Sequence, residues 1–474
     1  MIRRMPLIML VFFISACSPY KVAENYSPDV VIPDHFSIVE PTVTPPIHWW
    51  TAFNDEGLNE IVQEAFANNF DLKIAWSRLD QALALATIQG AARLPEVNLN
   101  GNASRNRSIV GNDPFYSNRF NLGVGLTWEL DLWQKIANRS EAAALTAEAS
   151  RNDAEQTALL LSGTVVNLWF TIQQQEQLLD VLKDQISSSR TQLELIELRY
   201  GQGIGNALQV FQQRLQLSQV ESELPTARSL LHTSRNQLST VLGKAPGQEE
   251  IIPPAVLPAL PAFPTLPAPK ELLELRPDLQ AAYRRVAAAD LEVAAAIAEM
   301  LPTVRISLEG SFSSPSISSL FEDTVGSMAA SLLQPVFDGD RRGAEADRRR
   351  AVLQERLDSF SNQFLTALLE IEDAIERERN QLELLDDILN QIEIAQSTLA
   401  EARLRYANGQ NEYLDVISAI QALQQVQRRE VLVRKDVLSN RASLYLALGG
   451  NWLRTIQPAP TDPDISPLIF DANS

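Results

Sequence analysis

Apolar positions along the chain follow three kinds of pattern. Residues 55 to 93 place Leu58, Ile61 and Ala65, then Leu72, Ala75 and Leu79, at helical spacing, and Pro95 stops the run. Alternation by two replaces it. Val97, Leu99, Gly101 and Ala103 interleave with Asn98, Asn100, Asn102 and Ser104. After turn residues from Gly111 to Pro114, Phe120, Leu122, Val124, Leu126, Trp128 and Leu130 interleave with Asn121, Gly123, Gly125, Thr127 and Glu129. The period predicts two strands, about 96–106 and 119–131, each with one apolar and one polar face. A longer seam follows: Val165, Leu168, Ile172, Gln175, Leu179, Leu182, Ile186, Ser189, Leu193, Ile196 and Tyr200 step by three and four. This is a coiled-coil type of seam, and a proline-free helix of about sixty residues would extend about 90 Å.

The whole succession then recurs. Leu94-Pro95 matches Leu301-Pro302 and Asp131 matches Asp338, each 207 positions on; "LRYGQG" at Leu198 matches "LRYANG" at Leu404, and Gly243 matches Gly449, each 206 positions on. Several anchors at nearly one offset predict two tandem repeats, residues 51–244 and 270–450, each a full set of helices and strands. In the second, Val304, Ile306, Leu308 and Phe312 open a strand pair at about 303–313 and 326–337. Its long helix carries Leu353, Leu357, Phe360, Phe364, Leu368, Ile371 and Ile375, then Leu382, Leu385, Leu389 and Ile392. Gly203 and Gly409 fall where each long helix must reverse, since glycine takes the positive φ of such a turn. They mark the tips of helical hairpins whose return helices span about 206–243 and 411–449. Residues 245–269 are a proline-rich linker and 451–474 a C-terminal tail.

The N-terminus adds a location. Arg3 and Arg4 precede an apolar run ending in Ser15 and Ala16, a secretory signal over residues 1–16 that is too short to span a bilayer. "ISAC" resembles the lipobox of bacterial lipoproteins, which makes Cys17, the chain's one cysteine, the lipid attachment site and 17–50 a lipidated extended segment. By the same resemblance, Ser18 after the cysteine favours the outer membrane. A formal charge of −19 argues against nucleic acid as a partner. His35, His48 and His232 are scattered, and "GQGIG" follows a helix rather than a strand. No metal cluster, cofactor motif or catalytic pair is evident, and the expectation is no cofactor and no enzyme. Strands of about ten residues suit a tilted crossing of a bilayer, but four strands cannot close a barrel, so at least two chains must cooperate.

The lipobox, "WELDLW" after a strand, "RPDLQAAYRRVAAADLEVAAAIAEMLPTV", "QPVFDGDRR", both "LRY" tips and the terminal "YLALGG" together resemble the TolC-like outer membrane factors, in their NodT-type lipoprotein branch of multidrug efflux channels. The resemblance spans nearly all of 49–452. It implies a mainly α fold with a transmembrane β part. The homotrimer would hold one twelve-stranded barrel, four strands per chain, above a long periplasmic α-helical barrel. It further implies an outer membrane exit channel, lipid-anchored in the outer membrane and extending into the periplasm, that works with a periplasmic adaptor and an inner-membrane transporter. By the same resemblance the pore aperture carries Asp415, with Ser418 and Gln209 at positions where relatives place further aspartates, and Arg405, Tyr406, Arg199 and Tyr200 stabilise the gate. Those residues also fit simpler roles. Asp415 suits a solvated charge near a helix N-terminus, and Tyr200 and Tyr406 suit seam packing. Two other functions remain open on the residues alone: an exit duct for type I protein secretion, and a pore-less coiled-coil scaffold, which has no need of four bilayer-length strands.

Overall fold

The computed structural model describes residues 20–37, 44, 46–111, 113–247 and 256–450. The signal segment, Cys17 and the C-terminal tail lie outside the described residues. The elements run α1 (Glu56–Asn68), α2 (Phe70–Ala91), β1 (Glu96–Val110), β2 (Asp113–Leu130), α3 (Lys135–Gly201) and α4 (Ala207–Val241), then α5 (Leu272–Leu275), α6 (Pro277–Ala298), β3 (Thr303–Ser314), β4 (Thr324–Leu333), α7 (Arg341–Ala407) and α8 (Tyr413–Leu448). One order, two helical segments, two strands and a helical hairpin, is written twice. Among the described residues no helix is long and apolar enough to cross a membrane.

Several boundaries differ from the periodicity's expectation, for local reasons. The helical pattern at 55–93 is two helices, because Asn69 is extended (φ −60°, ψ 130°) and its Oδ1 caps α2 by accepting from Leu72 N at 2.9 Å. Helix α6 likewise starts afresh at Pro277, which holds Arg276 out of the helical region (φ −96°, ψ 120°). Strands β1 and β2 run on past 106 and start before 119, with Pro114 paired to Ile109 at the ribbon's end. Strand β4 stops at Leu333 rather than 337, since Pro335 has no N–H to continue a ladder. Both long helices have 67 residues, about 100 Å each.

The chain divides into two compact units. The first comprises Ser77–Asn152 and Gln280–Gln363 with the described residues before Val31. It holds one antiparallel sheet of order β1-β2-β3-β4. Asp131 starts α3 within this unit, its carboxylate accepting from Ile136 N at 3.0 Å and Ala137 N at 2.6 Å. The N-terminal segment is fastened to α6 by Asp290. That carboxylate is 1% exposed and accepts from Tyr20 Oη at 2.7 Å, Tyr26 Oη at 2.6 Å and Ala23 N at 2.9 Å. Burial, then the adjoining carboxylate, pushes the Tyr20 phenol up to about 12 and raises that of Tyr26 as well.

The second unit comprises Val31–Trp76, Asp153–Leu279 and the chain from Phe364. Its core joins Trp49, Trp50 and Phe53 to Leu58 and Val62 of α1, Val165, Trp169 and Phe170 of α3, and Ala442 and Tyr445 of α8. The seam of α3 is buried at most positions from Val165 to Ile196, with Leu168 and Leu193 half-buried, but Tyr200 is exposed. On α7 the apolar seam is covered only in part. Phe360 lies in the first unit; in the second, Phe364, Ile371 and Ile375 are buried while Leu382 and Leu389 stay 39% and 41% exposed.

Repeat symmetry reaches individual contacts in this unit. Gly243 (φ +71°) and Gly449 (φ +74°) lie against the carbonyls of Asn68 and Leu275, and a Cβ on either would meet that oxygen at 2.7 or 2.5 Å. Beside each, a side chain binds the preceding helix end. Asn69 donates Nδ2 to Val241 O at 2.8 Å, and Arg276 donates Nη1 to Ala447 O at 3.0 Å.

Candidate channel wall and aperture

The sheet register aligns the apolar positions of all four strands on one face. Val97 pairs with Leu126 and Leu99 with Val124; Leu126 pairs onward with Leu308, Trp128 with Ile306, and Leu308 with Met328. Residues facing each other across an antiparallel pair lie on the same side, so these side chains form one surface. It is uncovered. Val97, Leu99, Val124, Met328 and Leu332 are between 50% and 76% exposed. An apolar face this broad in water would drive association, whereas in hydrocarbon it is already satisfied. The opposite face carries Asn98, Asn100, Asn102 and Asn121, with Glu129 against Arg305 at 3.4 Å. Among the described residues the outer edges of β1 and β4 have no partner strand. Open edges are not tolerated in lipid, because their N–H and C=O groups would lack partners.

The tips belong to the second unit and are built alike. Gly203 (φ +74°) and Gly409 (φ +68°) close the two long helices with the same pair of bonds: Gly203 N to Tyr200 O and Ile204 N to Arg199 O, Gly409 N to Tyr406 O and Gln410 N to Arg405 O. That is a Schellman turn, which needs a left-handed residue at its second-last position. Asn206 then starts α4 by accepting from Gln209 N at 3.1 Å.

The residues expected at the aperture fall into two groups. Asp415 and Ser418 are exposed, one turn apart on α8, and line a shallow cleft shared with Glu401 and Arg405 of α7. Arg405 donates Nε to Glu401 Oε1 at 2.6 Å within its own helix rather than to a neighbouring one. Gln209 sits apart from this cleft. It is half-buried, and its Oε1 accepts from Tyr406 Oη at 3.2 Å. The Arg199 guanidinium lies 4.9 Å over the Tyr406 ring, so Tyr406, Gln209 and Arg199 join the two hairpins at their tips. Tyr200, at the equivalent place in the first repeat, is 51% exposed. Among the described residues no group of three or more His, Cys, Asp or Glu is placed to hold a metal ion.

Sequence reasoning missed the polar layer just behind the tips. Tyr413, 1% exposed, donates to Gln213 Oε1 at 2.7 Å, and Gln213 donates to Ser189 O at 2.9 Å. Gln421 donates to Gln216 Oε1 and Gln216 to Gln424 Oε1, both at 2.7 Å, while Arg428 donates to Gln185 Oε1 at 2.8 Å. Burial pushes the Tyr413 phenol up to about 12. These amides fasten α4 and α8 to α3 by bonds that need particular geometry, unlike apolar packing. The available signal was a polar residue at a seam position, Ser189.

Two long helical hairpins and one four-stranded sheet with a bare apolar face, each repeat supplying one hairpin and two strands, narrow the choice to one family. The sequence profile described as "Outer membrane efflux protein" matches twice, over residues 61–244 and 268–450. The chain belongs to that family. This efflux protein is 29% identical over 422 residues to the pyoverdine export outer membrane protein OpmQ of Pseudomonas putida, covering 86% of this chain and 89% of that one. It is 26% identical to the probable outer membrane lipoprotein SilC of Salmonella typhimurium, over 94% and 98% of the two chains. Among solved structures, the outer-membrane channel OprN superposes with a TM-score of 0.84 at 25% identity, covering 92% of this chain and all of that one. The CusC channel superposes at 0.82 and 24% identity, over 91% and 99%. The mainly α fold with a transmembrane β part is therefore shared with outer membrane channels, and this efflux protein is an outer membrane exit channel of tripartite efflux. Family members are channel proteins rather than enzymes, form trimers, and work with efflux pumps and adaptors.

Proposed function

We propose that three copies of this chain close into one twelve-stranded barrel and act as a passive outlet for small molecules, delivered by an inner-membrane pump through a periplasmic adaptor. The observation that carries this reading is the sheet: four strands with a single uncovered apolar face and two unpaired edges. Pairing β4 of one copy with β1 of the next removes every edge, and the polar face then lines the lumen. Apolar residues bare in one chain, such as Leu208, Phe211 and Leu215 on α4 and Leu365 and Leu369 on α7, would pack against neighbouring copies. Lipidation at Cys17 would add a second hold on the outer membrane, in keeping with the likeness to SilC.

In this reading Asp415 and Ser418 ring the aperture, Tyr406 holds it narrow through Gln209 and Arg199, and Arg405, paired with Glu401 inside α7, stiffens the helix end beside it. OpmQ is named for pyoverdine export and CusC for cation efflux, so cargo differs among relatives of one architecture and its choice is assigned to the pump. The test is conductance of the full-length protein in a planar bilayer, with its mass in detergent measured alongside. A trimer whose conductance rises in Asp415→Ala or Tyr406→Phe supports the proposal. A stable monomer that conducts under no condition, in the wild type or either variant, returns the pore-less scaffold.

A further inference from the structure

Beyond the pairing with β3, which ends at Phe120↔Ser314, strands β1 and β2 continue alone as a ribbon from Ser104↔Arg119 to Val110↔Asp113. The face that carries Val97, Leu99 and Ala103 continues, by the same alternation, into Arg105 and Arg107. Tyr116 stands opposite Arg107 on that face, and the two guanidiniums lie 5.0 and 5.9 Å from its ring centroid. All three are exposed, and neither arginine has a carboxylate partner among the described residues. At the other end of the same face is Trp128, whose Nε1 donates to Arg93 O at 3.1 Å.

The spacing of these two aromatic ends is that of a bilayer. Twelve residues from Trp128 back to Tyr116 extend about 40 Å along the strand, or about 30 Å across the membrane at a tilt of about 45°. Trp128 and Tyr116 therefore stand where girdle residues stand, and Arg105 and Arg107 lie at the level where acyl chains give way to headgroups. The hairpin end is the one away from the helices, hence the outer leaflet. Charge there differs between the hairpins. Residues 104–119 hold Arg105, Arg107 and Arg119 with only Asp113 against them, whereas the turn between β3 and β4 holds Glu322 and Asp323.

We propose that Arg105 and Arg107, braced on Tyr116, bind the phosphate groups of the anionic glycolipid of the outer leaflet, so that each copy carries a headgroup site on its first hairpin and none on its second. The arginine fork matches phosphate bidentately, and an otherwise acidic chain has little other reason to keep two unpaired arginines at the rim of its apolar face. The proposal rests on the reading of the sheet as a lipid-facing wall.

The experiment reconstitutes the full-length protein and the Arg105→Gln/Arg107→Gln variant into phosphatidylcholine nanodiscs containing a minor fraction of a bisphosphorylated diglucosamine lipid. The lipid that stays with the protein after detergent exchange is counted by mass, and conductance is recorded for both proteins. The wild type should retain the phosphorylated lipid about thirtyfold better than the variant, at about one order of magnitude or less per arginine. Retention should fall equally for the dephosphorylated lipid, and conductance should be unchanged. Equal retention by both proteins with normal conductance overturns the headgroup site alone. Displacement of the lipid by inorganic phosphate in the millimolar range also overturns it, in favour of a free-anion site. A wild type that neither inserts nor conducts overturns the lipid-facing wall itself.

Discussion

The two repeats are built from one plan and stabilised by different chemistry. Each has a 67-residue helix, a glycine turn at its tip, and a glycine pressed on the carbonyl that ends the first helical segment. Yet Asn69 in the first is matched by Arg276 in the second, an exposed Leu83 by the buried Asp290, and the exposed Tyr200 by the engaged Tyr406. The first repeat's strands have 15 and 18 residues, the second's 12 and 10. Backbone geometry is what the repeats share, because a turn or a close approach admits few residues. Side-chain bonding has diverged, since many pairs can hold the same two helices.

The comparison can be broken at matched positions, and the largest effect is expected at Arg441. Its guanidinium grips Glu378 at 2.5 and 2.7 Å with both side chains 3% exposed, whereas Arg235, 206 positions earlier, meets Glu176 with 14% and 22% exposure. Arg441→Ala leaves a buried carboxylate without its partner and should lower stability by about 3–5 kcal/mol in denaturant titrations. Arg235→Ala should cost about 1–2 kcal/mol. If the two losses are equal, the repeats bury their charges alike.

Next comes the helix junction. Arg276 holds Asp278 at 2.8 Å, Glu370 at 2.6 Å and Ala447 O, while Asn69 offers one cap and one bond. Arg276→Ala should cost about 3 kcal/mol and Asn69→Ala about 1–2 kcal/mol, read from the shift in unfolding midpoint.

A smaller effect is expected where Asp290 holds the N-terminal segment. Asp290→Ala should expose residues 20–30 to protease at a loss of about 1–2 kcal/mol, while Leu83→Ala should change stability by less than about 0.5 kcal/mol. Alkali should act at the same place. With the Tyr20 phenol at about 12 in the folded protein and 10.0 as the ordinary value, its contribution is complete below pH 10 and is lost as pH rises through about 12. Cleavage of the segment should therefore accelerate across that window. The smallest effect separates the tip tyrosines. Tyr406→Phe removes one hydrogen bond, about 1 kcal/mol, and should raise single-channel open probability about fivefold. Tyr200→Phe should leave it unchanged.

Much of this was legible in the chain before any coordinates. The strands showed because a half-buried sheet demands period two, and the tips showed because "LRY" followed by glycine occurs twice at one spacing. The break at Asn69 was not legible, since an asparagine inside an apolar pattern fits a helix surface as well as a cap. The family resemblance put Gln209 with Asp415, but its Oε1 accepts from Tyr406, a bond that depends on how the two hairpins lie together. The layer from Tyr413 to Arg428 was equally hidden, because polarity at a seam position does not reveal its partner.

By itself the sequence determined which stretches are helix, strand and turn, and that each comes twice. These are local consequences of side-chain period and backbone sterics, and they need only neighbours in the chain. Tertiary structure alone decided which partner each polar group takes, where the apolar seam is covered, and that four strands align their apolar faces with two edges left over. Those outcomes depend on residues far apart in the chain meeting at hydrogen-bond distance, as Trp169 meets Asp55 and Tyr20 meets Asp290, and no local pattern encodes such a meeting.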